Sequence, residues 1–280
     1  MSDTTATVPA RTRIAASREP NALLVELPHL VRKHYRGVLF WTLGVTVYTA
    51  LMILSFPAFE KSGVLDVSQY PESMREAFNL QSMSTIEPYL SSQVFNFLPL
   101  VLMFIPITIF AGAIAGAEER GSLDLLFGNP LPRPVYVVAY WLATAILMLA
   151  MLLVLGVVSW LVAVAIDVDL GFGASMAAAL NVFPITMAAG GLALALSAAA
   201  RQKAVAVGVP AALMFLMYLT DIIGKIATDY AAVRNLSFFK AYGDPLQEGM
   251  PWLGAGVLLA IALTLAALAI PLFNRRDIYT

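Results

Sequence analysis

Six long stretches of this chain, about residues 37–56, 91–116, 135–166, 175–200, 204–220 and 252–273, contain no Asp, Glu, Lys or Arg. A helix needs roughly twenty apolar residues to cross the hydrocarbon core of a bilayer. No water reaches the backbone there, so the segment must close its own hydrogen bonds, and a helix does so. The pattern predicts an all-α membrane protein with six transmembrane helices. Composition agrees: 60% of the 280 residues are hydrophobic and 12% are charged, against about 25% charged in a soluble domain.

Between these stretches lie nearly all the charges, and their placement orients the chain. With the N-terminus inside, Arg11, Arg13, Arg18, Arg32, Lys33, Arg36, Arg120, Arg133, Arg201, Lys203, Arg275 and Arg276 are cytoplasmic. Lys61, Arg75, Lys225, Arg234 and Lys240 are outside. That is twelve of the 17 Lys and Arg against five, the bias expected of cytoplasmic loops. Both termini are therefore expected in the cytoplasm, and the membrane is expected to be a bacterial plasma membrane. Residues 1–20 have no apolar core, so they read as a disordered cytoplasmic tail rather than a secretion signal. Residues 21–280 form the six-span domain.

Ahead of the first span, Leu23, Leu24, Leu27 and Leu30 share a helical face, followed by Arg32, Lys33 and Arg36. Such a segment predicts an N-terminal interfacial helix with leucines in lipid and cations near phosphates, bent or restarted at Pro28. Two outer segments, 58–90 and 221–250, exceed what a connection needs. In the first, Pro71, Met74 and Phe78 predict a short amphipathic helix. The second carries Ile222, Ile223, Ile226 and Tyr230 at helical spacing, then Phe238 and Phe239, and is expected to dip back toward the membrane where protein buries its backbone.

Catalytic chemistry is hard to place. Both histidines, His29 and His34, precede the first span, and Asp221 and Lys225 are expected at or beyond the end of the fifth. Ionisable groups inside spans mark proton relays and ion sites, and none is expected here. Without cysteine, and with no clustered His or carboxylates, a metal site has no basis. Ser175 has no histidine in any span to act as its base. No G-x-x-x-x-G-K-[ST] stretch occurs, so if ATP drives this chain another polypeptide must bind it. The net charge of -1 gives no argument for nucleic acid. Gly112 and Gly116, and the small residues 188–195, allow close helix approach. Asn96, Phe104, Met214 and Tyr218 are the candidate lining of a path for a greasy substrate, since Met and aromatic rings adapt to many shapes.

The most informative segment runs from Ala117 to Arg133, between the second and third spans. Ser122 is a good N-cap and Asp124 lies in the first turn, where the helix dipole favours an anion. Gly128 is a left-handed stop and Pro130 forbids continuation. Leu123, Leu125, Leu126 and Phe127 then form a short helix too apolar for a free loop, which should enter a groove on a partner or on the membrane face.

Here the chain resembles the permeases of type-2 ABC exporters, whose cytoplasmic motif has an acidic cluster, Gly-Thr, a Leu-Leu pair, a Pro and an Arg. Glu118, Glu119, Gly121, Leu125, Leu126, Pro130 and Arg133 match it. Ser122 replaces the usual Thr, and Tyr140 stands where a Lys is often found. Residues 237–245 resemble the stretch these permeases carry before the last span, and residues 273–277 resemble their C-terminal ending. The resemblance implies a non-catalytic, six-span subunit that pairs with a second permease copy or paralogue and with two ABC ATPase subunits. It implies that Glu118, Glu119, Arg120, Gly121, Ser122, Leu123 and Asp124 transmit the ATPase stroke, with Leu123, Leu125, Leu126 and Phe127 as apolar anchor and Pro130 and Arg133 completing the coupling segment. It also implies that no cofactor is held here, that ATP and Mg sit on the partner, and that the cargo is an amphipathic drug, antibiotic or lipid. A gradient-driven carrier and a non-transporting membrane scaffold are the alternatives the residues alone leave open.

Overall fold

The computed structural model describes residues 22–62, 71–72, 85–122, 132–226 and 228–275. Those residues are all-helical, without strands, and include six helices long and apolar enough to cross a membrane. The first span is Ala22–Ser62. The second is built in pieces, Ile86–Leu90, a π-helical Ser91–Phe95, Leu98–Leu102 and Phe104–Ala113, and continues as Ala115–Glu119. The third, fourth, fifth and sixth are Arg133–Ala165, Phe172–Ala199, Lys203–Ile226 and Trp252–Asn274. Between the last two lie a 3-10 helix, Thr228–Leu236, and a short helix, Phe238–Tyr242.

Two expectations are corrected. The segment read as a separate interfacial helix is continuous with the first span, and Pro28 is accommodated inside one helix of 41 residues. At 1.5 Å rise per residue that helix is about 60 Å long, roughly twice the hydrocarbon thickness. The physical reason is packing. Leu30 is fully buried and Leu23 and Leu27 rest against the core, while Leu24 is 68% exposed. Protein rather than lipid covers most of that leucine face. The fifth span also runs further than expected, taking Asp221 and Lys225 into its last turns. Asp221 is buried, with Lys225 at 2.9 Å and Arg234 at 3.0 Å. Mutual neutralisation lets a carboxylate stay in the helix instead of ending it. The amphipathic helix expected near Pro71 and the tail 1–20 lie outside the described residues, apart from Pro71 and Glu72 themselves.

The fourth span is the centre of the bundle. A Cβ on Gly190 would fall 2.6 Å from the Cβ of Pro106 in the second span, and one on Gly191 would fall 3.0 Å from the carbonyl oxygen of Ala262 in the sixth. The small residues of 188–195 thus serve packing inside this chain. The first span lies along the third, and both leave apolar side chains such as Phe40 and Leu153 exposed.

The segment between the fifth and sixth spans packs against the bundle, with Phe239 and Tyr242 buried. Ser237 Oγ accepts from the amide of Phe239 and donates to the carbonyl of Met217, which caps the short helix and pins it to the fifth span. Asn181 of the fourth span donates to the carbonyl of Tyr242 at 2.7 Å, and Tyr242 Oη donates to the carbonyl of Phe95 at 3.0 Å. Burial, with the Asp244 carboxylate adding to it, raises the Tyr242 phenol above its ordinary pKa, so it stays a donor. Asp244 accepts from the amides of Leu246 and Gln247 and from Ser91 Oγ in the π-helical turn. The segment is therefore held by Asn181 of the fourth span, by its own Ser237, Tyr242 and Asp244 side chains, and by Ser91 of the second span.

Candidate functional site

The second span breaks at Ile114, whose φ of -112 and ψ of -69 leave regular helix. The cause is a wedge. Ser197 Oγ, from the end of the fourth span, accepts from the amide of Ala115 at 2.9 Å and donates to the carbonyl of Ala111 at 3.2 Å. Those two groups would otherwise bond each other, so the hydroxyl is inserted into the helical ladder, a recognised origin of kinks. The neighbouring carbonyls are also taken by side chains. Tyr136 Oη donates to Ala113 at 2.7 Å, and Arg120 Nη2 reaches Gly112 at 3.4 Å. Side chains from the third and fourth spans thus hold open a turn of the second.

Past this break, Ala115–Glu119 ends in a Schellman cap. Gly121 has φ of +64, its amide donates to the carbonyl of Glu118, and the amide of Ser122 donates to that of Ala117. Ser122 Oγ also donates to Ala117 at 3.0 Å. The serine read as the N-cap of the next helix, which lies outside the described residues, also closes the preceding one. Its partner in the motif, Gly121, supplies the left-handed residue that this closure requires.

The two glutamates reach the connection between the fourth and fifth spans. Glu119 Oε1 accepts from the backbone amide of Lys203 at 2.7 Å, which caps the first residue of the fifth span from another segment. Glu118 lies 3.9 Å from Arg201. Gly116 lets this join close, since a Cβ there would meet the Lys203 stem at 3.0 Å and Arg120 Nη1 at 3.3 Å. At the other end of the motif, Arg133 Nη1 donates to the carbonyls of Phe273 at 2.8 Å and Asn274 at 3.2 Å, with its guanidinium over the Phe273 ring. It adds a charged donor to carbonyls in the last turn of the sixth span. Tyr140, at the position where the resembled permeases often have a lysine, accepts from the Lys33 ammonium at 3.2 Å.

The motif's flanks, on the second and third spans, are thus tied to the fourth, fifth and sixth. Leu123, Asp124, Leu125, Leu126, Phe127 and Pro130 lie outside the described residues. The sequence reading missed Ser197, Tyr136 and Gly116 as parts of this site. The available signal was a serine within an alanine-rich helix end and a tyrosine one turn past the motif.

The candidate path residues are spread along two spans. Asn96 follows the π-helical turn, Phe104 is 40% exposed, Met214 is buried, and Tyr218 packs edge-on against Phe239 at 5.1 Å. None of them lines the apolar groove of about 290 Å³ between the first and second spans, which Phe40, Trp41, Tyr48 and Phe97 enclose. Among the described residues no group of His, Asp or Glu side chains is placed to hold a metal ion.

Six apolar helices around a small-residue core define a multi-pass membrane protein. Residues 27–274 match the family described as multidrug efflux system permease Rv1217c, C-terminal domain, and the chain belongs to that family. None of the curated proteins matches the chain.

Proposed function

We propose that this protein is the permease subunit of an ATP-driven efflux transporter, carrying an amphipathic or hydrophobic substrate such as a drug, antibiotic or lipid. A separate ABC ATPase supplies the energy, and two copies of it work with two permeases in a bacterial plasma membrane. ATP and Mg are held by that partner. Both termini and the loop between the second and third spans face the cytoplasm. The family description of a multidrug efflux permease and the charge pattern of the loops support this reading.

The observation that carries it is the junction at Ile114. A loop pushed by a partner needs a stiff route into the bundle. Here Glu119 holds the start of the fifth span, Ser197 holds the second span to the fourth, and Arg133 holds the third to the sixth. Force on residues 122–132 therefore reaches five spans through direct hydrogen bonds. Leu123, Leu125, Leu126 and Phe127 would seat in a cleft of the ATPase, and apolar burial would hold them there. Asn96, Phe104, Met214 and Tyr218 remain the proposed path.

The test is reconstitution. Purification from native membranes in mild detergent should bring down an ATPase with this chain. Proteoliposomes of that complex should show ATP-dependent flux of a hydrophobic dye, and Leu125→Asp should remove the flux while insertion stays intact. Flux by the chain alone under a proton or sodium gradient would replace this reading with a gradient-driven carrier.

A further inference from the structure

A cleft of about 540 Å³ opens beside the Ile114 junction, between the first, second, third and fifth spans. Three cations converge on it from three elements: Lys33, Arg120 and Lys203. Glu26 is the one carboxylate in its lining. Among the described residues, no carboxylate lies within ion-pair distance of any of the three. Three cations against one carboxylate leave an excess of positive charge, so the arrangement favours an anion.

The depth of the cleft says which anion. Each cation stands within about a turn of a charge-free stretch: Lys33 before Gly37, Arg120 after Gly116, and Lys203 before Ala204. That is the boundary where headgroup phosphates lie. The other end of the cleft is different in character. Ile109 and Gly112 belong to the apolar body of the second span and carry the lining inward from the cations. Hydroxyl-bearing rings, Tyr136 and Tyr140, stand between the two ends. A free inorganic anion would use only the basic end. A phosphate attached to glycerol and acyl chains would use all of it.

We infer that this cleft is a binding site for the headgroup of an anionic phospholipid, with Lys33, Arg120 and Lys203 on the phosphate and the Ile109–Gly112 face on the glycerol and first methylenes. Basic pockets between transmembrane helices take such headgroups. Arginine offers a planar fork for phosphate and lysine a mobile point charge. The volume falls within the 300–1,000 Å³ typical of small-molecule sites. The inference does not depend on which side of the membrane this end faces, nor on the ATPase.

The experiment uses the full chain in a neutral detergent, with short-chain phosphatidylglycerol, short-chain phosphatidylcholine and inorganic phosphate as probes. Phosphatidylglycerol is expected to raise Tm saturably, with an apparent affinity at least tenfold above that of phosphatidylcholine, and to remain bound in native mass spectra. The double variant Lys33→Gln, Lys203→Gln should weaken it about tenfold or more, whereas Arg275→Gln, outside the cleft, should not. In the unmodified protein the preference over phosphatidylcholine should shrink steeply as salt rises, a readout that needs no variant to fold. Equal affinity for the two lipids, a preference untouched by salt, or unchanged binding in the double variant would overturn the site. Inorganic phosphate that stabilises as strongly as the lipid and displaces it would overturn the lipid assignment in favour of a soluble anion.

Discussion

Ser197 Oγ accepts the amide proton of Ala115 across 2.9 Å, from a helix 82 residues further along the chain. The bond exists because the hydroxyl has displaced the amide's own helical acceptor, Ala111. Ser197→Ala removes the wedge and leaves two outcomes for the backbone. If Ala115 and Ala111 stay apart, a buried donor is unsatisfied at a cost of about 1–3 kcal/mol. If they close, the second span straightens and the Glu118–Ser122 end moves. In either case, hydrogen exchange at residues 114–116 should change in Ser197→Ala, and if an ATPase drives this permease as proposed, transport per ATP hydrolysed should fall. Unaltered exchange together with full transport would show that the wedge is decoration.

Asp221 is the buried member of a triad whose other members, Lys225 and Arg234, are partly exposed, with side chains at 22% and 30%. The asymmetry sets the sizes of the effects. Asp221→Ala deprives two cations of their acceptor, yet both can turn to water, so the loss should be about 1–3 kcal/mol and not the larger cost of a stranded buried charge. Arg234→Ala leaves Asp221 with Lys225 and should cost less. Thermal unfolding of the two single variants and the double variant gives the coupling. Equal costs for the two single changes would contradict the assignment of Asp221 as the hub.

The six spans were legible because charge-free length is a direct consequence of the bilayer as solvent. Their ends were less so. Asp221 reads as a terminus until Arg234 is known to fold back on it, and sequence spacing does not reveal that return. Continuity through Pro28 was hidden for the same reason, because Leu30 is buried by the bundle and not by its own helix. At the site, Glu118, Glu119 and Arg133 were legible as a motif. That Ser122 also closes the preceding helix was not legible, because a hydroxyl beside a glycine marks that end only once Gly121 is known to be left-handed. Ser197 and Tyr136 act on carbonyls of a distant span, so nothing local marks them.

Gly254 faces the backbone of the segment between the fifth and sixth spans, where a Cβ would fall onto the carbonyl oxygen of Ala241. A backbone atom cannot swing aside as a flexible side chain can. Gly254→Ala should therefore lift the Phe238–Tyr242 helix off the sixth span. That would strain the Asn181 and Phe95 bonds that Tyr242 makes. Overpacking of this kind costs about 1–3 kcal/mol or more. The expected readout is a lower Tm with faster hydrogen exchange confined to residues 237–247. Gly256→Ala is the matched control, because nothing lies within 4 Å of the added atom. Similar behaviour of the two variants would mean the approach at Ala241 is not a constraint.

Arg133 joins the end of the motif to the end of the chain's last helix, 140 residues away from Phe273. Its bonds go to backbone carbonyls in the last turn of the sixth span, so their loss exposes that turn to fraying. Arg133→Gln keeps a donor but loses the charge and the stacking over Phe273, and Arg133→Ala loses all three. Amide protection near residues 273–275 should fall about tenfold in the alanine variant, equivalent to about 1.4 kcal/mol, and by less in the glutamine one. If the motif is the seat of a partner, the alanine variant should also bind that partner with unchanged stoichiometry but transmit its stroke poorly, because the anchor residues 123–127 are intact while the third span has lost its tie to the sixth. Normal protection near residues 273–275 in the alanine variant would remove Arg133 from that route.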